Sequence, residues 1–350
     1  MKKNPFIYGL FVLSILILFS SCNGLNTLTM SVTEPAPVTL PSEVKTIGII
    51  DRSLVAEKNE MLDGIDKILS AEGKNLDKNG AARLIQGIYD ELTKNERFFK
   101  IKIIKDPNLR SAGMGVFPAA LSWQDIDKLC ADNEVDAIFS LSFYDTDALI
   151  DFKLVPVQVA GPMGINATVM EQHLTIKTLI KTGWRIYDPT NKIIWDEFSI
   201  NEEVISSGKG INPMKAYETV VGRKEAVMQI SSNIGQAYAL RILPYRIRVN
   251  RYYYVGGSPN FKIAKRRAQT GDWHGAAELW EQELTNPKRK IAGRACYNMA
   301  IINEIDGNLV DAADWASKSY TDYKNKKALR YLNILKYRIQ QNERLKQQTQ

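Results

Sequence analysis

Residues 44–51 read Val-Lys-Thr-Ile-Gly-Ile-Ile-Asp, and this short apolar run is the first downstream segment with the pattern of a buried strand. Residues 76–95 then carry apolar side chains at helical spacing, and residues 98–104 alternate as a strand does. Ser122 stands where a helix-capping residue is expected, and residues 137–144 give a third strand pattern. The order β-α-β-α-β predicts an α/β layer with helices packed on a sheet.

The next part of the chain changes to long alternating stretches. Residues 172–187 and 192–201 both alternate, and the sequence Asp-Pro-Thr-Asn at 188–191 is typical of a turn. We therefore expect a β-hairpin here. Trp184 and Trp195 are expected to lie near each other across its two strands.

A long amphipathic helix at residues 215–240 and a closing strand at residues 245–254 are expected to complete an α/β domain covering 44–255. Gly-Gly-Ser-Pro at 256–259 is typical of a hinge, and residues 260–345 are helical with few strand patterns. The fold class expected for the whole chain is α+β: an α/β-layer domain followed by an all-α repeat domain.

The helical part contains two related segments, Gly-Asp-Trp-His-Gly-Ala-Ala-Glu-Leu-Trp at 271–280 and Gly-Asn-Leu-Val-Asp-Ala-Ala-Asp-Trp-Ala at 307–316. The spacing of the first glycines is 307 − 271 = 36 residues. This pattern resembles the tetratricopeptide repeat, whose period is about 34. The positions that match its turn glycines, its small residues at the helix crossing and its following large residue are Gly271, Gly307, Ala276, Ala312 and Trp280.

This resemblance implies pairs of helices that stack on one another through small residues. About three units are usually needed for a stable stack, so we expect the repeats to pack on the α/β domain. Two roles stay open for them: a concave groove for a peptide or protein partner, or a structural support for the first domain.

The N-terminus has the pattern of a bacterial lipoprotein leader. Lys2 and Lys3 precede an apolar stretch at residues 6–19, which is shorter than the roughly 20 residues that a spanning helix needs. The sequence Phe-Ser-Ser-Cys at 19–22 is typical of a lipobox. We therefore predict that residues 1–21 are removed and that Cys22 carries the lipid, which anchors the chain to a membrane.

Residues 22–43 are predicted to be a polar tether between this anchor and the first strand. The residue after Cys22 is not acidic, and no acidic cluster follows Cys22. We expect the chain at the outer membrane, on its periplasmic face rather than at the cell surface.

Charge is distributed unevenly along the chain. The formal net charge of +7 becomes +5 once Lys2 and Lys3 are removed with the leader. Residues 324–346 hold eight Lys and Arg residues against Glu343 alone. This excess indicates either attraction to anionic lipid or an acidic partner, or merely a solvated helix face. We do not expect nucleic acid as a partner in this compartment.

The other two cysteines, Cys130 and Cys296, each lie in a helical pattern and in different predicted domains. A disulfide framework is therefore not expected, although the compartment is oxidising. Both are predicted to be small buried apolar residues.

The residues that could carry chemistry do not form a recognisable motif. The two histidines have no metal-ligand spacing, and the zinc-hydrolase, serine-hydrolase and phosphate-loop patterns are incomplete. Asp145, Asp147 and Asp151 are interpreted as a solvated strand-end loop, and His173 as a structural residue. Gly208-Lys209-Gly210 is interpreted as an ordinary loop. We expect no catalysis, no cofactor and no metal.

Three short stretches resemble the N-terminal domain of TolB and the curli-secretion lipoproteins. They are Ile-Gly-Ile-Ile-Asp-Arg-Ser at 47–53, Glu-Arg-Phe-Phe-Lys-Ile at 96–101 and Asn-Glu-Val-Asp-Ala-Ile at 133–138. With the lipobox, the stretch 35–53 and the C-terminal repeats, the arrangement resembles an uncharacterised family of Bacteroidetes-type envelope lipoproteins. This resemblance implies no catalytic residues.

The leading function expected from the sequence is a membrane-anchored, non-enzymatic adaptor or assembly factor that binds a protein through its helical repeats. The alternative is a subunit of a curli-secretion-like pore or transport complex, because that family inserts two hairpins into the membrane. Here the two corresponding places are the apolar stretch 149–165, interrupted by Pro and Gly, and the polar stretch 199–213. A membrane strand needs about 9–11 residues, which these stretches do not clearly supply.

Overall fold

The structure is a computed structural model that describes residues 24–53, 65–105, 109, 116–160 and 166–349. These residues form two compact units. The sheet unit comprises residues 36–243, and the helical unit combines residues 24–35 with 244–349. The chain mixes sheet and helix, as the α+β class requires, and its C-terminal region is helical. The leader and Cys22 lie outside the described residues.

The strands are numbered along the chain: β1 Leu25–Glu34, β2 Thr46–Asp51, β3 Lys100–Ile104, β4 Ala137–Ala160, β5 Asn166–Asp188, β6 Ile193–Gly210 and β7 Tyr245–Tyr254. The helices are α1 Ile65–Leu92, α2 Trp123–Asn133, α3 Pro213–Glu218, α4 Arg223–Ala239, α5 Pro259–Gln269, α6 Trp273–Glu281, α7 Arg289–Ile305, α8 Leu309–Thr321 and α9 Lys326–Thr349. A short 3₁₀ turn, Leu240–Ile242, follows α4.

The sheet unit is built on a five-stranded sheet in the order β3-β2-β4-β5-β6. Strand β2 pairs in parallel with β3 and β4, since helical crossovers connect these strands, whereas β4, β5 and β6 form an antiparallel meander. Helices α1 and α4 contribute to a large apolar core on one face, and α2 packs with Ile50, Ile138 and Tyr187 in a smaller core. Ser122 caps α2 by accepting a hydrogen bond from the Asp125 amide, as predicted.

Helices α1 and α4 approach each other through glycines. A Cβ atom placed on Gly87 would overlap the main-chain oxygen of Ser232, and one on Gly235 would overlap that of Leu84. The two backbones are therefore in direct contact, which only residues without a side chain permit. On the sheet side of α4, the ring of Tyr238 stacks on Trp184 at 4.7 Å between centroids.

Several predicted elements have different bounds in the structure. The helix predicted at 215–240 is split into α3 and α4, and Gly222 between them has a φ of 73°, a left-handed conformation that favours glycine. Trp184 pairs directly with Phe198 and not with Trp195, because the turn sets Asp188 opposite Ile193 and so places Trp195 at the bulge beside Ile186 and Tyr187. Strands β4 and β6 extend well beyond the predicted 137–144 and 192–201.

In the helical unit, β1 and β7 form an antiparallel ribbon whose register runs from Leu25 opposite Tyr254 to Glu34 opposite Tyr245. The prediction of a tether at 22–43 was therefore wrong for β1. The closing strand at 245–254 has the expected bounds, but it pairs with β1 and not with the sheet of the other unit. The unit boundary falls at residues 243–244 and not at the predicted hinge at 256–259. The reason is that β7 is hydrogen-bonded to β1 and to α7 of the helical unit.

Helices that follow one another in this unit contact each other around a second apolar core. Gly271 lies in the turn before α6 with a φ of 87°, and Gly307 lies in the turn before α8 with a φ of 84°. Ser258, in the predicted hinge, caps α5 by accepting a hydrogen bond from the Phe261 amide. Among the described residues, we find no helix that combines the length and the apolar content needed to cross a bilayer.

Candidate functional site

The far end of the β4–β5 hairpin is a two-stranded projection, which we call the β-arm and define as residues 154–160 and 166–172. Strand β6 ends at Gly210, which pairs with Gln172, so β5 has no β6 neighbour before that point. The strands of the β-arm pair from Leu154 opposite Gln172 to Ala160 opposite Asn166. Within it, Glu171 is the single charged residue, so the whole outer part of the arm is uncharged.

The two faces of the β-arm differ in chemistry. Val155, Val157 and Val159 lie on one face, with Val169 directly opposite Val157. On the other face, the Gln158 side chain donates a hydrogen bond to the Thr168 hydroxyl at 2.9 Å, and this face also carries Leu154 and Met170. Large apolar side chains are exposed along the arm: Leu154 58%, Met170 53%, Val159 46% and Val169 41%.

An uncovered apolar ribbon of this kind is poorly stable in water, because an isolated two-stranded hairpin is marginal and an apolar strand edge invites pairing. Larger exposed apolar patches in soluble proteins usually mark contact sites. The β-arm is therefore the candidate contact surface of the sheet unit.

The base of the hairpin has a charged, solvated face instead. Asp147 pairs with Lys181 at 2.6 Å, and Asp151 lies 3.5 Å from Lys153. The His173 ring is 2.8 Å from the Glu171 carboxylate. Asp145, Asp147 and Asp151 lie in strand β4 rather than in the predicted solvated strand-end loop, because the strand continues to Ala160, and Asp145 is buried. Within the described residues, no three His, Cys, Asp or Glu side chains form a metal-binding group.

Residues 208–210 are part of β6 and not a loop, which corrects the interpretation of Gly208-Lys209-Gly210. A Cβ atom on Gly208 would overlap the main-chain oxygen of Ala216, and one on Gly210 would overlap the Ala216 amide nitrogen. These glycines therefore allow α3 to pack closely on the edge strand. The Lys209 amide donates to the Thr219 hydroxyl at 2.8 Å, which fixes the same contact.

Two buried arginines hold the segment before α2 against the sheet, on the face that carries the smaller apolar core. Arg52, which directly follows β2, donates to the main-chain oxygens of Leu109 and Ala119. Arg185 on β5 donates to the Pro118 oxygen at 2.7 Å and to Glu197 at 2.6 Å. Burial, reinforced by the neighbouring charge of Arg185, lowers the pKa of Arg52 despite the opposing effect of Tyr187.

These arginines lie at the carboxyl ends of the parallel strands, where α/β folds commonly bind ligands. Here, however, the guanidinium groups are occupied by main-chain oxygens and one carboxylate. The buried hydroxyls of Ser140 and Ser142 have no hydrogen-bond partner among the described residues. The arrangement can fix a loop, and we assign it no catalytic chemistry.

The core of the helical unit contains a buried charge cluster around Glu304 of α7. Arg251 of β7 donates to both oxygens of Glu304, at 2.8 Å from each. The Tyr331 hydroxyl donates to the same carboxylate at 2.6 Å, and Arg338 of α9 forms a further ion pair with it. The side chain of Glu304 is fully buried. This cluster joins strand β7 to two helices.

The pKa values of this cluster follow from its geometry. Burial alone would raise the pKa of Glu304, but the hydrogen bonds from Arg251 and Tyr331 outweigh it, so the pKa of Glu304 lies below its ordinary value. Burial and the adjacent Glu304 charge raise the pKa of Tyr331. The Glu304 carboxylate is therefore charged and paired at neutral pH.

Strand β7 of the ribbon packs on one face of α7 and is hydrogen-bonded to it directly. The Tyr254 amide donates to the Asn298 side-chain oxygen at 2.8 Å, and the Asn298 amide group donates back to the Tyr254 oxygen at 2.8 Å. The Tyr254 ring meets Tyr297 edge to face, with centroids 5.2 Å apart. This helical face is thus covered by the chain's own strands.

The predicted repeat-packing residues are found at turns and in the core. Gly271 and Gly307 adopt the left-handed backbone conformation in their turns, which glycine adopts more readily than other residues. Ala276, Ala312 and Trp280 are fully buried. Trp280 lies 6.0 Å from the Tyr253 ring of β7 between centroids. The predicted lipidation residue, Cys22, lies outside the described residues.

Comparison with known families gives a match over the segment that forms most of the sheet unit and extends through β7. The model of the family described as Domain of unknown function (DUF8603) matches residues 44–254, more than half of the chain. The chain belongs to this family. A second family model, described as Domain of unknown function (DUF6340), matches residues 262–337 within the helices of the DUF8603 protein. No curated protein matches it.

Solved structures show only distant likeness to this DUF8603 protein. A PelC dodecamer from Paraburkholderia phytofirmans is 9% identical, covers 62% of this chain and 99% of its own, and has a TM-score of 0.21. A neuraminyllactose-binding hemagglutinin homolog from Helicobacter pylori is 12% identical, covers 59% of this chain and 84% of its own, and has a TM-score of 0.24. Likeness at this level carries no argument about function.

Sequence reasoning missed Arg52, Arg185, Arg251 and Glu304 as organising residues. Arg251 and Glu304 are separated by 53 residues, and Arg185 binds a main-chain oxygen 67 residues away. One signal was visible, namely an Arg within the alternating strand pattern 245–254, where an inward-facing position needs a partner.

Proposed function

We propose that this DUF8603 protein is a lipid-anchored envelope protein that acts by binding a protein partner, as a non-enzymatic adaptor or assembly factor. The β-arm carries this proposal, because it exposes apolar side chains on a ribbon whose single charged residue is Glu171. The proposal further holds that the sheet unit is related to the TolB N-terminal and curli-secretion domains. It also holds that the helices are tetratricopeptide-like, which the placement of Gly271, Gly307, Ala276 and Ala312 supports.

The sequence favoured the helical repeats as the binding surface, and the structure favours the β-arm. The ribbon of β1 and β7 already covers the face of α7 that contains Asn298 and Glu304. A partner of the helical unit would have to use other surfaces. The β-arm has no such cover among the described residues of the sheet unit.

A photocrosslinker at position 157 tests the contact in the lipid-anchored protein in its envelope. We expect Val157 replaced by a photoreactive amino acid to form a defined adduct with another protein, and the same change at Ile211 to form none. Ile211 is 82% exposed and outside the arm, so it controls for exposure. An equal yield of adducts at both positions, or no adduct at 157, would reject the β-arm as the binding surface.

Paired threonine substitutions measure the strength of the contact. Val157→Thr with Val169→Thr keeps the volume and strand preference of both residues but removes apolar surface. We expect roughly a 10- to 100-fold loss of affinity for the crosslinked partner, from burial of about two valine side chains. Ile211→Thr with Val221→Thr is the matched control and should leave the affinity unchanged, because these exposed residues lie outside the arm.

Metabolic labelling with an alkyne analogue of palmitate tests the anchor. We expect the wild-type chain to take the label and to fractionate with the outer membrane, and Cys22→Ser to lose both. Cys130→Ser should keep the label, because burial raises the pKa of the Cys130 thiol to about 12 and leaves it unreactive. Labelling of the Cys22→Ser variant would show that Cys22 is not the lipidation site.

A pore subunit is the second candidate, and the exposed apolar side chains on the uncharged outer part of the β-arm favour it. One face carries Val155, Val157 and Val159, whereas the other mixes Gln158 and Thr168 with the exposed apolar side chains of Leu154 and Met170. The 7 residues from Leu154 to Ala160 are shorter than the roughly 9–11 that a membrane strand needs. A detergent-stable ring and dye release from vesicles would favour the pore, whereas a monomer without dye release would exclude it.

A further inference from the structure

The outer face of the β1–β7 ribbon is polar, basic and exposed from Thr27 to Thr33 on β1 and from Arg246 to Tyr252 on β7. Its side chains form four directly opposed pairs, Thr27 with Tyr252, Thr29 with Asn250, Ser31 with Arg248 and Thr33 with Arg246. All eight residues are exposed. The Thr29 hydroxyl donates to the Asn250 side-chain oxygen at 2.8 Å. Among the described residues, no carboxylate forms an ion pair with Arg246 or Arg248.

This face begins close to the predicted anchor. Strand β1 starts at Leu25, three residues after Cys22, and an extended chain covers at most about 3.6 Å per residue. A lipid on Cys22 therefore holds the start of the ribbon within roughly 10 Å of the membrane surface. Tyr252, which is 56% exposed, lies at this end of the ribbon. Tyrosine is enriched where protein meets the interfacial region of a bilayer.

The two units carry net charges of opposite sign, and the unit that contains the ribbon is the positive one. The helical unit, taken as residues 24–35 and 244–349, has 20 Lys and Arg against 11 Asp and Glu, a net charge of 20 − 11 = +9. The sheet unit, residues 36–243, has 24 against 28, a net charge of 24 − 28 = −4. The unit whose own strand follows the predicted anchor is thus the basic one.

We infer that the outer face of the β1–β7 ribbon is a membrane-contact surface that binds anionic phospholipid headgroups through Arg246 and Arg248. The inference rests on the proposed lipid anchor for its placement, and on the exposed arginines and the charge distribution for its chemistry. Each basic residue near an anionic leaflet contributes about 1 kcal/mol. The ribbon is braced by the buried Arg251–Glu304 pair, so its two arginines are presented on a fixed surface.

Vesicle sedimentation of the unlipidated mature chain tests this surface directly. The protein is residues 22–350 with Cys22→Ser, and the vesicles are phosphatidylcholine with or without about one-third phosphatidylglycerol. We expect binding to the anionic vesicles only, weakened by salt. Arg246→Gln with Arg248→Gln should lower the partition coefficient by roughly 10- to 30-fold, since each lost charge of about 1 kcal/mol corresponds to about fivefold.

The matched control removes the same charge elsewhere on the helical unit. Lys262→Gln with Arg266→Gln changes two exposed residues of α5 and should lower binding by less than about twofold. Equal losses in both variants would overturn the site and leave only a general charge effect. Equal binding to neutral vesicles, or release by inorganic phosphate but not by chloride of matched ionic strength, would also overturn it.

Because the protein in this assay carries no lipid, its outcome does not depend on processing at Cys22. Loss of palmitate labelling with retained vesicle binding would reject the anchor alone. Retained labelling with no vesicle binding would reject the ribbon surface alone.

Discussion

Glu304→Gln is expected to destabilise the helical unit by about 3–5 kcal/mol, because it leaves the buried Arg251 guanidinium without its counter-charge. The substitution keeps the shape of the side chain, so the loss reports charge pairing and not a cavity. Hydrogen exchange of residues 289–305, followed by mass spectrometry through a urea series, measures this unit separately from the sheet unit. The helix should exchange at a lower urea concentration in the variant.

Glu343→Gln provides the control for this prediction. Glu343 pairs with Lys346 on the surface of α9, and both side chains are more than half exposed. Its removal should change the stability by less than about 0.5 kcal/mol, since an exposed i,i+3 pair contributes little. A similar small effect for Glu304→Gln would show that the buried cluster does not stabilise the fold.

The effect of Glu304→Gln should depend on pH in a defined direction. The pKa of Glu304 is lowered in the folded chain, so its charged form contributes stability above the unfolded pKa of about 4.3. That contribution is lost as the pH falls through the folded pKa, which lies below this value. The wild-type advantage over the Gln variant should therefore be full at pH 7 and should shrink below about pH 4. A constant difference down to pH 2 would contradict the assignment.

Gly235→Ala is expected to destabilise the sheet unit by about 3 kcal/mol. The new methyl group would overlap the main-chain oxygen of Leu84, and a backbone atom cannot move aside as a flexible side chain can. This overlap outweighs the roughly 1 kcal/mol that alanine gains over glycine in a helix. The midpoint of thermal unfolding, together with the hydrogen exchange of residues 223–239 in a separate experiment, would detect the change.

Gly73→Ala is the matched comparison. Gly73 lies in α1, and a Cβ atom there would meet no atom of the described residues within 4 Å. The same substitution should therefore stabilise the chain by about 0.5–1 kcal/mol through helix propensity alone. If both alanine variants shifted stability in the same direction, close helix contact at Gly235 would not be the cause.

Local patterns in the sequence were enough to locate most elements of both units. The apolar run ending at Asp51 and the alternating stretch from Ala137 are strands, and Ser122 caps a helix at the expected residue. The glycines at 271 and 307 lie in turns between helices. These features depend on side-chain periodicity and on single residues with strong backbone preferences, which short stretches of sequence contain.

Features that depend on distant partners were not predictable in this way. Strand β1 was interpreted as a tether, because its ten residues form a stable strand only when β7, more than 200 residues later, supplies the hydrogen bonds. The extension of β4 into the β-arm was interpreted as an apolar insertion, since Pro156 and the charged residues before it obscure the strand pattern. The break between α3 and α4 required the left-handed conformation of Gly222.

The sequence by itself predicted most of the strands and helices, the helical C-terminal region and the uneven charge of the chain, and its lipobox at Cys22 stays a prediction. Only the tertiary structure decided that the strand after Cys22 belongs to the basic helical unit, that Glu304 is neutralised by Arg251, and that the β-arm is uncovered among the described residues. The physical reason is that helix periodicity and capping act within a few residues. Strand pairing, ion pairing and burial join residues that the chain separates by 50 or more positions, as in Arg251–Glu304 with a separation of 53.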